Sequence, residues 1–171
     1  MKEIYLAGGC FWGMEHVIRA LDGVVHTETG YANGTVPNPS YEQVCSDTTG
    51  HRETVRVVYN PGILPLSRIL RAFFICVDPT QKNRQGNDIG SQYQTGIYTS
   101  DPDSEREVAA YLEHERKLYP EFHVESGALK QFWPAEEYHQ NYLLKHPDGY
   151  CHISGAEYQL VRQLNETEES E

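Results

Sequence analysis

Cys10 follows Gly8-Gly9 and opens an apolar helical run. At such a joint the unpaired N–H groups and the positive end of the helix dipole favour an anion, so a thiol with an ordinary pKa of about 8.5 is expected to shift toward thiolate. A buried core cysteine is the competing reading. Phe11 and Trp12 come next. Consecutive helical residues point about 100° apart, so the two rings cannot share one core direction, and at least one is expected to wall an apolar slot beside the sulfur.

Glu53 is the most informative carboxylate. Strand parity puts it on the face of Val55, Val57 and Tyr59, with Arg52, Thr54 and Arg56 on the other. Desolvation on that apolar face raises a carboxyl pKa, the condition for a group that holds and donates a proton near neutral pH. The alternative is a strand-end glutamate paired with Arg52 or Arg84. Among twelve tyrosines, Tyr41 and Tyr93 stand where a polar loop meets a regular element, positions from which a phenol can donate into a cleft. Cys151, in Pro147-Asp-Gly-Tyr-Cys151-His, lies in a turn-rich segment expected to be mobile and exposed, which suits a thiol that must move. Cys45 and Cys76 end predicted helices and read as structural.

The elements that position these residues are set by patterning. Residues 2–7 alternate as a strand, and 11–21 read as a helix stopped by Gly23. Strands are expected near 24–31 and over 52–59, with a short helix between them opened by a Ser40/Gln43 capping box. Pro65 suits a first helical position for a helix to Cys76. Residues 77–92 read as a long polar loop and 93–99 as a strand. Pro102 opens a helix to Leu118, 122–124 reads as a short strand, and Pro134 opens a helix over 135–145. This order predicts an α+β or mixed α/β sandwich.

Composition narrows the function classes. The chain has 171 residues with 14 Lys+Arg against 25 Asp+Glu, a net charge of −11. One core of this size needs no disulfide or metal in order to fold. The acidic balance lacks the positive field that phosphate backbones require, so no nucleic acid is expected. No signal-like or membrane-length apolar run occurs, so no membrane partner is expected and the protein is placed in the cytoplasm. The four cysteines are 35, 31 and 75 positions apart, which does not support a structural zinc site. Residues 1–164 form the expected domain, with 165–171 an acidic, disordered tail.

Gly9-Cys10-Phe11-Trp12-Gly13 resembles the active-site motif of the A-type methionine sulfoxide reductases. Gly30-Tyr-Ala-Asn-Gly34, Asn38-Pro-Ser-Tyr41-Glu-Gln-Val-Cys45, Thr49-Gly-His51-Arg-Glu53, Asn87-Asp88-Ile-Gly-Ser-Gln-Tyr93, Pro134-Ala-Glu-Glu-Tyr-His139-Gln-Asn-Tyr142 and Gly149-Tyr-Cys151 are similar to that family, in order.

The resemblance implies a ferredoxin-like two-layer α/β sandwich with a mixed sheet and a single domain. It implies reduction of the S epimer of methionine sulfoxide, free or in oxidised proteins, without a metal or organic cofactor. Cys10 matches the nucleophile and Glu53 the acid. Tyr41 and Tyr93 match the phenols that bind the sulfoxide oxygen, and Phe11 and Trp12 the walls that receive the methyl group. Asp88 matches a second acidic residue near the pocket. Cys151 matches a resolving cysteine that condenses with the Cys10 sulfenic acid to a disulfide, which thioredoxin reduces. Some members carry two recycling cysteines near the C-terminus, whereas no cysteine follows Cys151 here, so transfer in one step is expected. Many members have arginine where Gln94 follows Tyr93. A monomer is expected. The competing class is a cysteine hydrolase or acyltransferase with His51 or His16 as the base for Cys10.

Overall fold

The structure, a computed structural model, describes residues 1–166. Strand β1 (Lys2–Ala7), helix α1 (Phe11–Ile18), β2 (Val24–Ala32), β3 (Arg52–Tyr59), α3 (Leu66–Cys76) and β6 (Gly96–Thr99) form the frame, with the short helix α2 (Tyr41–Cys45) between β2 and β3. β1 pairs antiparallel with both β3 and β6, and β3 with β2. The spatial order β6-β1-β3-β2 is that of a split β-α-β unit, the ferredoxin-like arrangement. The edges are extended by β7 (Glu125–Ala128), parallel to β6, and by β8 (Phe132–Pro134), antiparallel to β2, so the sheet is mixed.

The alternation read from the sequence decides the layers. Ile4, Leu6, Val55, Val57 and Ile97 face the helices and join Met14, Val17, Ile69, Leu70 and Phe73 in the core. Helix α4 (Pro102–Arg116) adds Val108 and Leu112, and helix α6 (Gly155–Gln163) adds Val161. The opposite face carries a smaller cluster of Tyr5, Ala7, Ala32 and Tyr98, covered by Leu129 and Phe132.

Several local expectations change. Pro65 is the N-cap of α3, one position before the helix. Residues 77–92 are not one loop: β4 (Arg84–Gln85) and β5 (Asp88–Ile89) make a tight hairpin around Gly86, and Ser91–Tyr93 is a 3₁₀ turn, so β6 begins only at Gly96. The strand expected at 122–124 starts at Glu125, because Phe122 packs on Phe74 and under the Arg116 guanidinium instead of entering the sheet. Pro134 ends the edge strand β8 rather than opening a helix. Beyond it come a 3₁₀ turn at Glu137–His139 and a four-residue helix α5 (Tyr142–Lys145), separated by Asn141 at φ 53. Helix α6 is an addition to the expected elements, although Ser154 and Glu157 form a capping box at its start.

Position 165, expected in the tail, belongs to the folded body. Asn165 accepts from the Asp22 N–H and donates to the Ala20 carbonyl, which ties the last turn to the end of α1. The rest of the expected tail, residues 167–171, lies outside the described residues. Among the described residues no helix is long and apolar enough to cross a membrane.

Candidate active site

The turn Gly8-Gly9 carries the chain from the sheet into α1 and sets Cys10 as its N-cap. Gly9 has φ 81, and a β-carbon there would lie 2.7 Å from the His152 ring, so glycine serves both the backbone and the close approach. Glu53 arrives from β3, directly opposite Tyr31 in register, on the helix-facing side as parity requires. Its Oε1 accepts the Phe11 N–H at 3.2 Å, one of the orphan donors of the helix start. Its Oε2 is buried without a hydrogen-bond partner. The competing arginine pairings do not form: Arg52 binds Glu125, and Arg84 donates to the Gly86 carbonyl.

Burial, opposed by the Phe11 N–H and reinforced by the charge of Asp88, lifts the Glu53 carboxyl to about 8. It is therefore a protonated acid at neutral pH with one oxygen free to donate. The expected thiolate at Cys10 is corrected by the same geometry. Desolvation first, then the nearby Glu53, raise the Cys10 thiol well above its ordinary value and outweigh the Trp12 N–H that favours the anion. The resting site thus pairs a neutral thiol with a neutral acid.

Phe11 is buried against Tyr31 and His139, and Trp12 is half-buried, stacked on Tyr142 at 3.7 Å. The Trp12 indole donates to His139 Nδ1 at 3.0 Å, and the His139 ring also packs on Tyr41 at 4.5 Å. His139 therefore links Phe11 and Trp12 to the Tyr41 ring. The sequence places this histidine within a family-like motif but gives it no role, because its partners come from distant segments. Glu136 escapes sequence reading likewise: it accepts from the Tyr31 hydroxyl and from the Tyr41 N–H, fixing the start of α2.

Tyr41 packs on the His139 ring of this cage, and Tyr93 lies near enough to Glu53 to feel its charge; each is half-buried. Burial and the neighbouring Glu53 push both phenols far above the ordinary tyrosine range, so both remain hydrogen-bond donors. Tyr93 stands on the 3₁₀ turn, which Asp47 and Arg52 hold through Ser91. Gln94 accepts from the Asn83 N–H and donates to the His123 carbonyl, so it pins the loop. Cys76 is buried, in keeping with a structural role. Cys45 is not: it is exposed at the end of α2, one helical turn from Tyr41.

Cys151 is half-buried rather than exposed, held against α1 where a β-carbon on Gly13 would lie 3.0 Å from its sulfur. Burial raises its thiol above the ordinary value, so it too is neutral at neutral pH. All four cysteines are free. A cleft of about 290 Å³ opens beside Cys151, lined by His16, Leu143, Pro147, Ile153 and Tyr158 among others, without Cys10, Glu53 or the aromatic cage. Asp88 accepts from Tyr150 and faces the His152 ring, both neighbours of Cys151.

The hydrolase alternative loses its base. His51 accepts the Gly34 N–H on one ring nitrogen and donates to the Val36 carbonyl through the other, holding the 33–36 loop. His16 is engaged by Arg19 and stacked on Tyr158. Residues 2–170 match the family model described as Peptide methionine sulfoxide reductase. The chain belongs to this family.

Peptide methionine sulfoxide reductase MsrA of Alkaliphilus metalliredigens is 51% identical over 155 residues, spanning 90% of this chain and 98% of the relative. Among solved structures, reduced Mxr1 from Saccharomyces cerevisiae superposes with a TM-score of 0.84 at 37% identity, covering 90% of this chain and 91% of that one. Mxr1 in complex with Trx2 superposes with a TM-score of 0.58 at 26% identity, covering 82% and 84%. As a peptide methionine sulfoxide reductase, this chain is an oxidoreductase that converts methionine sulfoxide to methionine.

Proposed function

We propose that Cys10 and Glu53 carry out the reductase step on the S epimer of methionine sulfoxide, and that Cys151 and thioredoxin carry out the recycling. The supporting observation is the Glu53 carboxyl, bound by Phe11 N–H on one oxygen and free on the other, at the same helix start as Cys10. Phe11 and Trp12 receive the methyl group, and Tyr41 and Tyr93 orient the sulfoxide oxygen. Fixing methyl, oxygen and the line of attack in three directions around a chiral sulfur selects one epimer; the S assignment rests on the family resemblance.

A sulfoxide sulfur resists attack until its oxygen is protonated or strongly hydrogen-bonded. Glu53 passes its proton to that oxygen while the Cys10 sulfur attacks, and the thiol proton returns to Glu53. Oxygen moves from the substrate sulfur to Cys10, so methionine and a sulfenic acid form, atoms balance, and no net charge is created in the buried site. A neutral thiol beside a neutral acid is the right starting state for this exchange.

Cys151 then displaces hydroxide from Cys10, giving a disulfide and water, and thioredoxin reduces the disulfide by exchange. The complex of the structural neighbour Mxr1 with Trx2 supports this partner. Asp88 acts beside the pocket. Four free cysteines suit a reducing compartment, and the protein is assigned to the cytoplasm.

The test adds excess racemic methionine sulfoxide to pre-reduced protein without reductant. About one methionine per chain, consumption of the S epimer alone and loss of the Cys10 and Cys151 thiols are expected. Methionine without a disulfide would overturn the role of Cys151, and no methionine with four intact thiols would overturn the assignment of Cys10.

A further inference from the structure

Tyr150, Cys151 and His152 are consecutive, and the two residues flanking the cysteine converge on one carboxylate. The Tyr150 hydroxyl donates to both oxygens of Asp88 at 3.1 Å. His152 Nδ1 lies 4.0 Å from Asp88 Oδ2, and its side chain is only 5% exposed. On its other edge, Nε2 is 2.9 Å from the Gly8 carbonyl. A carbonyl only accepts, so Nε2 carries the hydrogen, and Nδ1 is the buried nitrogen without a hydrogen-bond partner that faces Asp88. Asp88 is itself fixed, because Gln85, its partner across the β4-β5 hairpin, bonds to both backbone groups of Asp78 and to the Thr95 hydroxyl.

We infer that Asp88 is a positioning residue for the recycling half-reaction, holding the Tyr150 hydroxyl as a latch that, together with the His152 N–H on the Gly8 carbonyl, keeps Cys151 docked on α1 within reach of Cys10. The inference rests on the reading of Cys151 as the resolving thiol. Cys151 lies in Pro147-Asp-Gly-Tyr-Cys-His, a segment of turn formers that gains order from what it touches. A disulfide closes only when the α-carbons come within about 4.4–6.8 Å and the sulfur dihedral is near 90°, so holding the segment in place converts a search into a local encounter. In the step served, the Cys151 sulfur forms the S–S bond as the S–O bond of the Cys10 sulfenic acid breaks. The departing hydroxide takes the Cys151 thiol proton and leaves as water. Cys151 is oxidised and the Cys10 sulfur reduced, with no further oxidant.

The latch separates two rates. Tyr150→Phe removes the hydroxyl from a residue that is 46% exposed, which spares the fold. His152→Gln retains a donor for the Gly8 carbonyl and leaves the Tyr150–Asp88 bond in place. In single-turnover mixing of pre-reduced protein with methionine sulfoxide, with acid quench and mass spectrometry, both variants are expected to form methionine at the wild-type rate. Tyr150→Phe should form the Cys10–Cys151 disulfide at least tenfold more slowly, with a matching rise in Cys10 sulfenic acid trapped by dimedone, while His152→Gln should keep the wild-type disulfide rate. Disulfide formation that keeps pace with methionine in Tyr150→Phe would overturn the latch alone, as would an equal slowing of both products. A wild-type protein that forms methionine but no such disulfide would overturn the recycling reading itself.

Discussion

The sulfur of Cys151 lies 3.0 Å from the point that a β-carbon on Gly13 would occupy, with His152 Nδ1 at 3.1 Å from the same point. Gly13 is one helical turn beyond Cys10, so the cost of a glycine inside α1, about 1 kcal/mol against alanine, is accepted where the second thiol must dock.

Gly13→Ala is therefore expected to improve helix propensity while displacing the Cys151 sulfur and the His152 ring from their seat on α1. Disulfide formation after one turnover should slow tenfold or more, measured by quenching and thiol counting. Unchanged disulfide kinetics would show that the close approach is unimportant.

Cys10→Ser removes the proposed nucleophile and should form neither methionine nor disulfide. Cys151→Ser should retain one methionine per chain and lose thioredoxin-driven cycling. Steady-state and stoichiometric assays on the two proteins separate these outcomes; sustained thioredoxin-driven turnover by Cys151→Ser would remove the proposed relay.

Glu53 also sets a pH dependence of stability. Its carboxyl is raised from about 4.5 in the unfolded chain to about 8 in the fold. The folded protein thus keeps a proton that the unfolded chain loses. This contribution is fully present below pH 4.5 and is lost progressively as pH rises to 8, by up to about 1.4 kcal/mol per pH unit. Glu53→Gln lacks the titration. Its melting temperature relative to wild type should rise steadily from pH 5 to pH 8 in calorimetric scans, and a pH-independent difference would contradict the buried acid.

His139 holds Trp12 through a single acceptor, and burial lowers its pKa, keeping the ring neutral for that purpose. His139→Ala should cost about 1–3 kcal/mol in denaturant unfolding, since the indole N–H loses its partner. It should also raise KM for methionine sulfoxide more than it lowers kcat, because the proposed methyl-receiving wall is no longer held. A kcat effect with unchanged KM would argue for a different role.

Much of this site is legible in the chain. The Gly8-Gly9 joint locates Cys10, parity over 52–59 places Glu53 on the apolar face, and the Ser40/Gln43 box opens α2 at Tyr41. What escapes depends on contacts between segments far apart in sequence. The protonation of Cys10 is set largely by burial and by a glutamate 43 residues away, which overrides the local helix-end rule. His139 meets Phe11, Trp12 and Tyr41 only in the fold. The helix expected after Pro134 fails because that proline occupies an edge strand, where its missing N–H is tolerated, and because Asn141 adopts a left-handed conformation whose N–H is taken by the buried Glu15.

The most direct test of the neutral acid and thiol pair is the pH dependence of methionine formation in a single turnover, compared between wild type and Glu53→Gln. The wild-type rate is predicted to fall as pH passes about 8, where Glu53 loses the proton it must donate. The variant is predicted to be roughly 10²–10⁴-fold slower and to show no fall near pH 8. A wild-type rate that climbs through pH 8 as a thiol ionises, or a variant within a few fold of wild type, would contradict the account.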